Sequence, residues 1–339
     1  IWGGPGIGKS ELVEQISNNM KGYMIDLRLA LMEPTDLRGM PYYNKAENNM
    51  SWAQPVELPT EELAKKYPVV VLFLDELNSA PPSVQAAAYQ LILNRRIGTY
   101  KLPDNVVVVA AGNRETDKGV TYKMPKPLAN RFVHLNLDVN FEDWFTWATN
   151  HKIHADVVGY LSFAKSDLYN FDPRSPDQAF ASPRTWTFVS ELLDDSEDDM
   201  PITESQLTDL VSGTVGEGMA VKFMNHRTFA SQLPNPSDIL AGKVKELKVS
   251  EISAQYTLTV NLCYELSEGY KDAKKSKKLD NWHKQADNFF GYMMANFQTE
   301  MVVLGAKIAL SNYSLPFETK KLKTFKEFYD RYGQLIIDA

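Results

Sequence analysis

Short, almost wholly apolar runs alternate with helical patterns over the first part of the sequence. Two of these runs, YPVVVLFLDE at 67–76 and NVVVVAAGN at 105–113, have polar side chains only near their ends. Strands of a parallel sheet are covered on both faces and show this unbroken apolar pattern. A further segment, RFVHLNLDV at 131–139, predicts one more strand.

The segment between the two apolar runs, PPSVQAAAYQLILNRR at 81–96, predicts a helix. A proline pair stands at its start, and apolar residues follow at helical spacing, namely Val84, Ala87, Ala88 and Leu91. Strands that alternate with helices along a chain are typical of an α/β fold with a doubly wound parallel sheet. We therefore predict this fold class for the first part of the chain.

Beyond about residue 140 the sequence shows only helical patterns separated by polar loops. The break Pro234-Asn235-Pro236 ends this section, and the long amphipathic patterns after it predict further helices. We therefore expect three parts, which are an α/β core at 1–145, a helical section at 146–245 and an all-helical extension at 246–339.

Charge and cysteine content narrow the classes of protein. The net charge is −7, and residues 151–245 carry 8 Lys and Arg against 14 Asp and Glu, so a generic nucleic-acid surface is not expected. The single cysteine, Cys263, excludes an intrachain disulfide and fits a reducing compartment. No apolar run approaches the ~18 residues that a membrane span needs. We expect a cytoplasmic protein, and a cropped chain because residue 1 is not methionine.

An acidic run, DDSEDD at 194–199, stands out within the helical section. Runs of like charge are usually solvated. We expect a loop between two helices here, with a docking patch for a basic partner as the alternative.

The sequence opens with IWGGPGIGKS, which contains the phosphate-binding pattern G-x-x-x-x-G-K-[ST] in full. Its glycines let the backbone curl so that successive N–H groups point at a phosphate, and the following helix adds the positive end of its dipole. Lys9 supplies a charge to the β- and γ-phosphates, and Ser10 supplies a hydroxyl to Mg²⁺. The apolar pair Ile1-Trp2 is expected to end the strand that leads into this loop. The predicted ATP-binding residues are Gly3, Gly4, Pro5, Gly6, Ile7, Gly8, Lys9 and Ser10.

Two acidic residues, Asp75 and Glu76, follow the buried run at 67–76. An NTPase needs a carboxylate at the tip of a strand beside the phosphate-binding loop to hold the Mg²⁺ shell. We therefore predict that Asp75 contributes to the Mg²⁺ site with Ser10. Glu76, one residue further on, is placed to orient and polarise the attacking water.

With these residues in place, the sequence resembles the AAA+ ATPases, and within them the MoxR family, over roughly residues 1–240. The resemblance implies that Asn113 helps to position the water and that Arg131, in PLANRF, reaches the γ-phosphate of a neighbouring subunit. It also implies that the section at 146–245 is a helical lid, on which Arg184, in ASPRTW, reads the nucleotide state in its own or a neighbouring subunit.

The branch that this sequence resembles carries two hairpin-like insertions, and segments at 25–59 and 94–105 are similar to them. In related rings the insertions face the central pore. The resemblance therefore implies that their side chains contact a partner, with ordinary hairpins packed locally as the alternative. The candidate contacts are Tyr42, Tyr43, Trp52, Tyr100 and Lys101.

The resemblance implies a homo-oligomeric ATPase, with a hexameric ring expected, that binds ATP and Mg²⁺ and remodels or matures a partner protein. A partner with a von Willebrand A domain is typical of this family, and a phage-encoded member in a bacterial cytoplasm fits the helical extension, which lies outside the resemblance. Two alternatives stay open. One is a nucleic-acid motor or loader of the same superfamily, and the other is a nucleotide-gated scaffold with negligible turnover.

Overall fold

The computed structural model describes residues 1–117, 122–198, 202–276 and 278–337. The chain folds into two compact units. The core unit comprises Ile1–Val139 with Phe171–Pro176, and the helical unit comprises Asn140–Asn170 with Asp177–Ala339. No helix in the described ranges is long and apolar enough to cross a membrane.

The core unit alternates strands and helices, as its apolar pattern predicts. Short 3₁₀ turns lie at Leu29–Leu31 and Glu115–Asp117. The helices and strands are α1 (Lys9–Asn19), β1 (Tyr23–Arg28), α2 (Pro34–Arg38), β2 (Met40–Asn44), β3 (Asn49–Ala53), α3 (Glu61–Lys66), β4 (Val70–Asp75), α4 (Pro82–Asn94), β5 (Arg96–Ile97), β6 (Tyr100–Lys101), β7 (Val106–Ala110) and α5 (Lys126–Ala129).

The central sheet of the core unit is parallel, with the strand order β1-β4-β7. Trp2 continues the sheet beyond β7, because it bridges Gly112 on one side and Asn136 on the other, both in parallel orientation. The strand predicted at 131–139 is thus reduced to a single bridge. This segment pairs with the sheet only through Asn136 and Trp2, and the stretch at Trp2 is too short to support further strand pairing along residues 131–139.

Helices cover both faces of the sheet, and β4 shows why. Its side chains alternate, so that Val70, Leu72 and Leu74 belong to one apolar cluster and Val71 and Phe73 to another. The first cluster includes the buried face of α4, and the second includes Val13 of α1. The predicted α/β class with a parallel sheet is therefore confirmed.

The core unit contains two antiparallel hairpins, and each lies in one of the two segments predicted as insertions. In the first, β2 pairs with β3, and Tyr42, Tyr43 and Trp52 are exposed. In the second, β5 pairs with β6, but Tyr100 is only 7% exposed and its hydroxyl donates to the carbonyl of Pro59. The prediction that Tyr100 contacts a partner was therefore wrong. The sequence marks this hairpin as polar, yet its apolar side chains pack into the core cluster.

The helical unit contains no strand among its described residues. A 3₁₀ turn lies at Lys165–Leu168 and a π-helical turn at Ile308–Asn312. The helices are α6 (Phe141–Asn150), α7 (Ala155–Phe163), α8 (Pro183–Asp198), α9 (Glu204–Val215), α10 (Glu217–Ala230), α11 (Pro236–Leu240), α12 (Ile252–Ser276), α13 (Leu279–Asn296), α14 (Thr299–Lys307) and α15 (Lys323–Ile337).

The acidic run predicted as a loop is mostly helical. Helix α8 continues through Asp198, and residue 199 lies outside the described ranges. Neither glycine nor proline interrupts the sequence between Pro183 and Pro201, so nothing in it ends the helix earlier.

The predicted lid and the predicted extension pack together within the helical unit. Helix α7 of the lid section lies against α12 of the extension so closely that a Cβ on Gly159 would stand 2.0 Å from Thr257 Oγ1. The proposed division at residue 245 is therefore not a break in the packing.

A buried histidine links the same two sections and gives a first testable prediction. His226 on α10 is 3% exposed, and its Nε2 lies 2.9 Å from Thr257 Oγ1. Burial lowers the pKa of His226, an effect that Arg227 reinforces and Asp156 and Glu251 oppose. Because the folded-state pKa lies below the unfolded value of about 6.5, this contribution to stability is present above that pH and is lost as the pH falls through the folded pKa.

We therefore expect amide hydrogen exchange in α10 and α12 to accelerate more between about pH 7 and about pH 5 in the wild-type chain than in His226→Gln, after correction for the intrinsic pH dependence of exchange. The exposed His151 provides the control, since His151→Gln should leave the wild-type pH dependence unchanged. Equal pH dependence in wild type and His226→Gln would contradict the prediction.

Candidate functional site

The glycine-rich segment forms a loop between the extended residue Trp2 and helix α1. Gly6 and Gly8 have φ values of 74° and 87°, in the left-handed region that favours glycine. Gly8 is the residue that caps α1, and no side chain caps this helix end. The N–H groups of the first turn are therefore available to an anion held by the loop.

The side chain of Lys9 folds over this loop. Its Nζ donates to the carbonyl oxygens of Gly3 at 2.9 Å and Gly4 at 2.8 Å. It also donates to Asn113 Oδ1 at 3.0 Å. This contact joins the loop to the end of the segment that follows β7, so the structure brings Lys9 and Asn113 together.

A second contact joins the loop to the tip of β4. Ser10 Oγ donates to Asp75 Oδ2 at 2.9 Å, and Asp75 Oδ1 accepts the backbone N–H of Glu76 at 2.8 Å. Hydroxyl and carboxylate oxygens are the donors that Mg²⁺ prefers. Within the described ranges, no group of three His, Cys, Asp or Glu side chains is arranged to hold a metal alone. The residues present therefore fit a Mg²⁺ that takes its remaining ligands from a phosphate and water.

The backbone at Glu76 turns sharply away from β4. Glu76 has a φ of 56°, which is uncommon for a residue other than glycine and is often found at functional sites. Its carbonyl accepts from the N–H groups of Ser79 at 2.9 Å and Ala80 at 3.1 Å. This turn places the half-buried Glu76 side chain directly after the strand tip.

Several acidic side chains lie near the end of β4. The pKa of Asp26 on β1 is raised, mainly by burial and then by the charge of Asp75, with Glu14 and Glu76 adding to it and Arg28 opposing it. A cation bound here would offset that repulsion. Sequence reasoning did not identify Asp26, although it is the one acidic residue of an otherwise apolar and basic strand.

Among the described residues, the two predicted arginines take no part in the hydrogen bonds that join Lys9 to Asn113 and Ser10 to Asp75. Arg131 follows α5 and is exposed, and within the described ranges its guanidinium has no hydrogen bond or ion pair. Arg184 lies in the first turn of α8, in the helical unit, and is also exposed. Both guanidinium groups are thus accessible.

An apolar groove of about 460 Å³ lies elsewhere in the core unit. Side chains of α1 and β7 line it, together with residues 131–135. Neither Lys9 nor Ser10 lines this groove, so it is not the phosphate site.

A buried residue that sequence reasoning missed lies between the end of β4 and the segment that follows β7. Asn78 is 2% exposed, and its Nδ2 donates to the carbonyl oxygen of Asn113 at 2.7 Å. The available signal was a polar residue at an otherwise apolar position just after Asp75-Glu76. Its partner could not be read from the sequence, because it lies 35 positions away.

Comparison with known proteins agrees with this geometry. Residues 1–134 match the family model described as "ATPase family associated with various cellular activities (AAA)". A search of curated proteins found no significant match.

Three solved structures are loosely similar to the chain. A Cytophaga hutchinsonii protein provisionally described as an ATPase is 14% identical, with 91% of this chain and 74% of that one covered and a TM-score of 0.32. A RuvB mutant of Thermotoga maritima is 15% identical, with coverages of 68% and 67% and a TM-score of 0.36. NtrX of Brucella abortus in complex with ADP is 13% identical, with coverages of 83% and 64% and a TM-score of 0.37.

At these identities and TM-scores the three structures say nothing about activity. The family match carries more weight, because its range contains every predicted site residue except Arg184. Residues 1–134 of this chain therefore resemble the ATPase domain of the AAA family.

Proposed function

We propose that this chain is the subunit of a Mg²⁺-dependent ATPase that converts ATP and water to ADP and phosphate. One observation carries the proposal. Lys9 contacts Asn113, and Ser10 contacts Asp75, so the phosphate-binding loop and two strand tips meet in one cluster. Each of these four side chains has a chemical use in phosphoryl transfer.

The loop binds the triphosphate. Backbone N–H groups of the loop and the first turn of α1 face the phosphates, and Lys9 Nζ exchanges its loop carbonyls for phosphate oxygens. Ser10 and Asp75 hold Mg²⁺, which neutralises charge on the phosphates when it is bound. The chain itself thus supplies both the positive charge and the rigid frame that the reaction needs.

Glu76 and Asn113 prepare the attacking water. Glu76 projects from the turn after β4, where its carboxylate orients and polarises the water. Asn113 holds the water from the neighbouring strand tip. The bond from water oxygen to the γ-phosphorus forms as the bond to the ADP oxygen breaks, and the water proton leaves with the phosphate or Glu76. Arg131 of a neighbouring subunit offsets the charge that develops during this transfer.

Since Arg131 acts on a neighbouring site, the proposal requires a homo-oligomer, and we propose a hexameric ring. Arg184 on the lid senses the nucleotide. Hydrolysis moves lid against core, and this motion acts on a bound partner protein in the manner of a MoxR-like chaperone. We also propose that the partner carries a von Willebrand A domain and that the helical extension docks it. The protein is, in the same proposal, cytoplasmic and encoded by a phage.

The first hairpin supports a protein partner. Opposite residues of β2 and β3 share a face, so Pro41 and Trp52 lie beside Tyr43 and Met50 on one uncharged face. Tyr43 is 54% exposed and Met50 is 61% exposed. Lys45 is the only basic residue of the hairpin, which fits nucleic acid poorly.

ATP turnover measured with and without DNA or RNA, over a range of salt concentrations, separates the two classes of partner. The proposal predicts no stimulation by nucleic acid. Stimulation that falls steeply with salt would instead support a nucleic-acid motor. Co-purification from the native host with Glu76→Gln and ATP would then identify the partner.

Removal of the charge at Lys9 should weaken nucleotide binding strongly. Lys9→Met keeps the length of the side chain but not its ammonium group, so we expect at least a roughly 100-fold weaker Kd for ATP, given that a charged hydrogen bond to phosphate contributes ~1.5–3 kcal/mol and Lys9 also orders the loop. Titration with a fluorescent ATP analogue measures this loss. The exposed Lys66 on α3 is the control, since Lys66→Met should bind as the wild type does. Unchanged affinity in Lys9→Met would contradict the proposed site.

A further inference from the structure

Asn78 sits where the two strand tips of the site meet. It lies two positions after Glu76, inside the turn that the carbonyl of Glu76 closes by accepting from Ser79 and Ala80. Its side-chain Nδ2 donates to the backbone carbonyl of Asn113 at 2.7 Å. The segment that carries Glu76 is thus tied directly to the segment that carries Asn113.

The packing around this amide is close. A Cβ on Gly112 would stand 2.4 Å from Asn78 Oδ1, so only glycine at 112 allows the amide to lie against this backbone. Gly112 in turn donates its N–H to the carbonyl of Ile1 at 3.0 Å, in the strand that leads into the phosphate-binding loop. The amide of Asn78 therefore touches a point at which all three parts of the site are joined.

Stability alone does not account for an asparagine here. Its Oδ1 is buried and has no hydrogen-bond partner among the described residues. A buried acceptor without a donor is unfavourable, and an apolar side chain of similar size would avoid that penalty. What asparagine adds is the directed N–H bond to Asn113.

We propose that Asn78 is a positioning residue that fixes Glu76 and Asn113 relative to each other, so that both side chains hold one water in line with the γ-phosphate. This inference rests on the proposed function. Asn78 does not touch the nucleotide; it acts through the backbone of Asn113. Small misplacements of such groups have large effects on rate and little effect on binding.

Asn78→Asp is the sharpest variant, because it keeps the shape of the side chain but turns a carboxylate oxygen toward the carbonyl of Asn113. We expect its kcat to fall roughly 10- to 100-fold while the Kd for ATP stays within about threefold of the wild-type value. Asn78→Ser, whose hydroxyl is too short to reach the carbonyl directly, should show the same fall in kcat with a nearly unchanged Kd for ATP. It replaces Asn78→Asp in the test if that variant does not fold.

Asn105 provides a matched control at the other end of β7. Its Nδ2 donates to the carbonyls of Ala64 and Tyr67, both at 2.9 Å, far along the strand from the site. Asn105→Asp should lower the midpoint of thermal unfolding but keep the wild-type kcat in the folded protein. In addition, the loss of kcat in Asn78→Ser combined with Asn113→Ala should be smaller than the product of the two single losses, because part of the effect of Asn78 is exerted through the side chain of Asn113.

The experiment is steady-state ATP turnover of the full chain, with ATP affinity, oligomer size and thermal midpoint measured for each variant. Wild-type kcat in the folded Asn78 variants, or an equal loss of kcat in Asn105→Asp, would overturn the inference and leave the proposed function intact. A wild-type chain that binds ATP but never hydrolyses it would overturn the proposed function and this inference together.

Discussion

Replacement of Arg131 by alanine is expected to lower ATP turnover of the assembled protein by roughly 1,000- to 100,000-fold. The guanidinium of Arg131 is exposed and, within the described ranges, has no hydrogen bond or ion pair, so its loss breaks neither kind of bond inside the subunit. What is lost is a positive charge beside the transferring phosphoryl group, where charge develops only in the transition state. The Kd for ATP should therefore change little.

Steady-state hydrolysis under saturating ATP and Mg²⁺ measures this effect. Arg96, which is exposed on β5 and whose guanidinium, among the described residues, donates to the carbonyl of Gly98 in the same hairpin, is the matched control, because Arg96→Ala should retain wild-type turnover. Size-exclusion chromatography with light scattering establishes that Arg131→Ala still assembles. An assembled Arg131→Ala protein with normal turnover would contradict the assigned role.

The second large effect is expected at Glu76. Glu76→Gln keeps the size and most hydrogen-bonding capacity of the side chain but cannot take a proton or polarise water as a carboxylate does. We expect turnover to fall roughly 100- to 10,000-fold, the range of general acid–base catalysis. ATP should still bind, since the loop, Lys9 and Ser10 are intact, and the nucleotide should remain unhydrolysed on the protein.

Single-turnover hydrolysis and the identity of the retained nucleotide test this expectation together. Glu62, an exposed residue of α3 in the same unit, is the control, and Glu62→Gln should behave as the wild type does. Near-zero turnover in both the wild type and Glu76→Gln would instead favour the nucleotide-gated scaffold.

The local parts of the site were predictable from the sequence, because short-range sequence determines them. The glycine pattern encodes the left-handed turns at Gly6 and Gly8. The unbroken apolar runs encode buried parallel strands, and the polar residues after such runs must emerge at one edge of the sheet. Asp75 was predicted in this way, whereas Asn113 was implied only by the family resemblance; the structure brings the two residues to Ser10 and Lys9 respectively.

The remaining features depend on contacts that are distant in sequence. The bond from Asn78 to Asn113 arises only when β4 and β7 lie side by side. The burial of Tyr100 depends on a carbonyl at Pro59, which a polar hairpin sequence does not indicate. Likewise, the packing of α7 against α12 was not predicted, because amphipathic patterns show which face of a helix is buried but not its partner.

The most direct test of the central claim mixes two inactive variants. Arg131→Ala subunits retain Glu76, and Glu76→Gln subunits retain Arg131, so a site regains all its groups wherever the second donates Arg131 to the first. In randomly mixed rings half of the sites keep Glu76 and half of those face an Arg131 donor, so the account predicts recovery to about a quarter of wild-type ATP turnover. Mixed rings that form, as shown by differential tagging, yet stay as inactive as the two parents would contradict a site shared between neighbouring subunits.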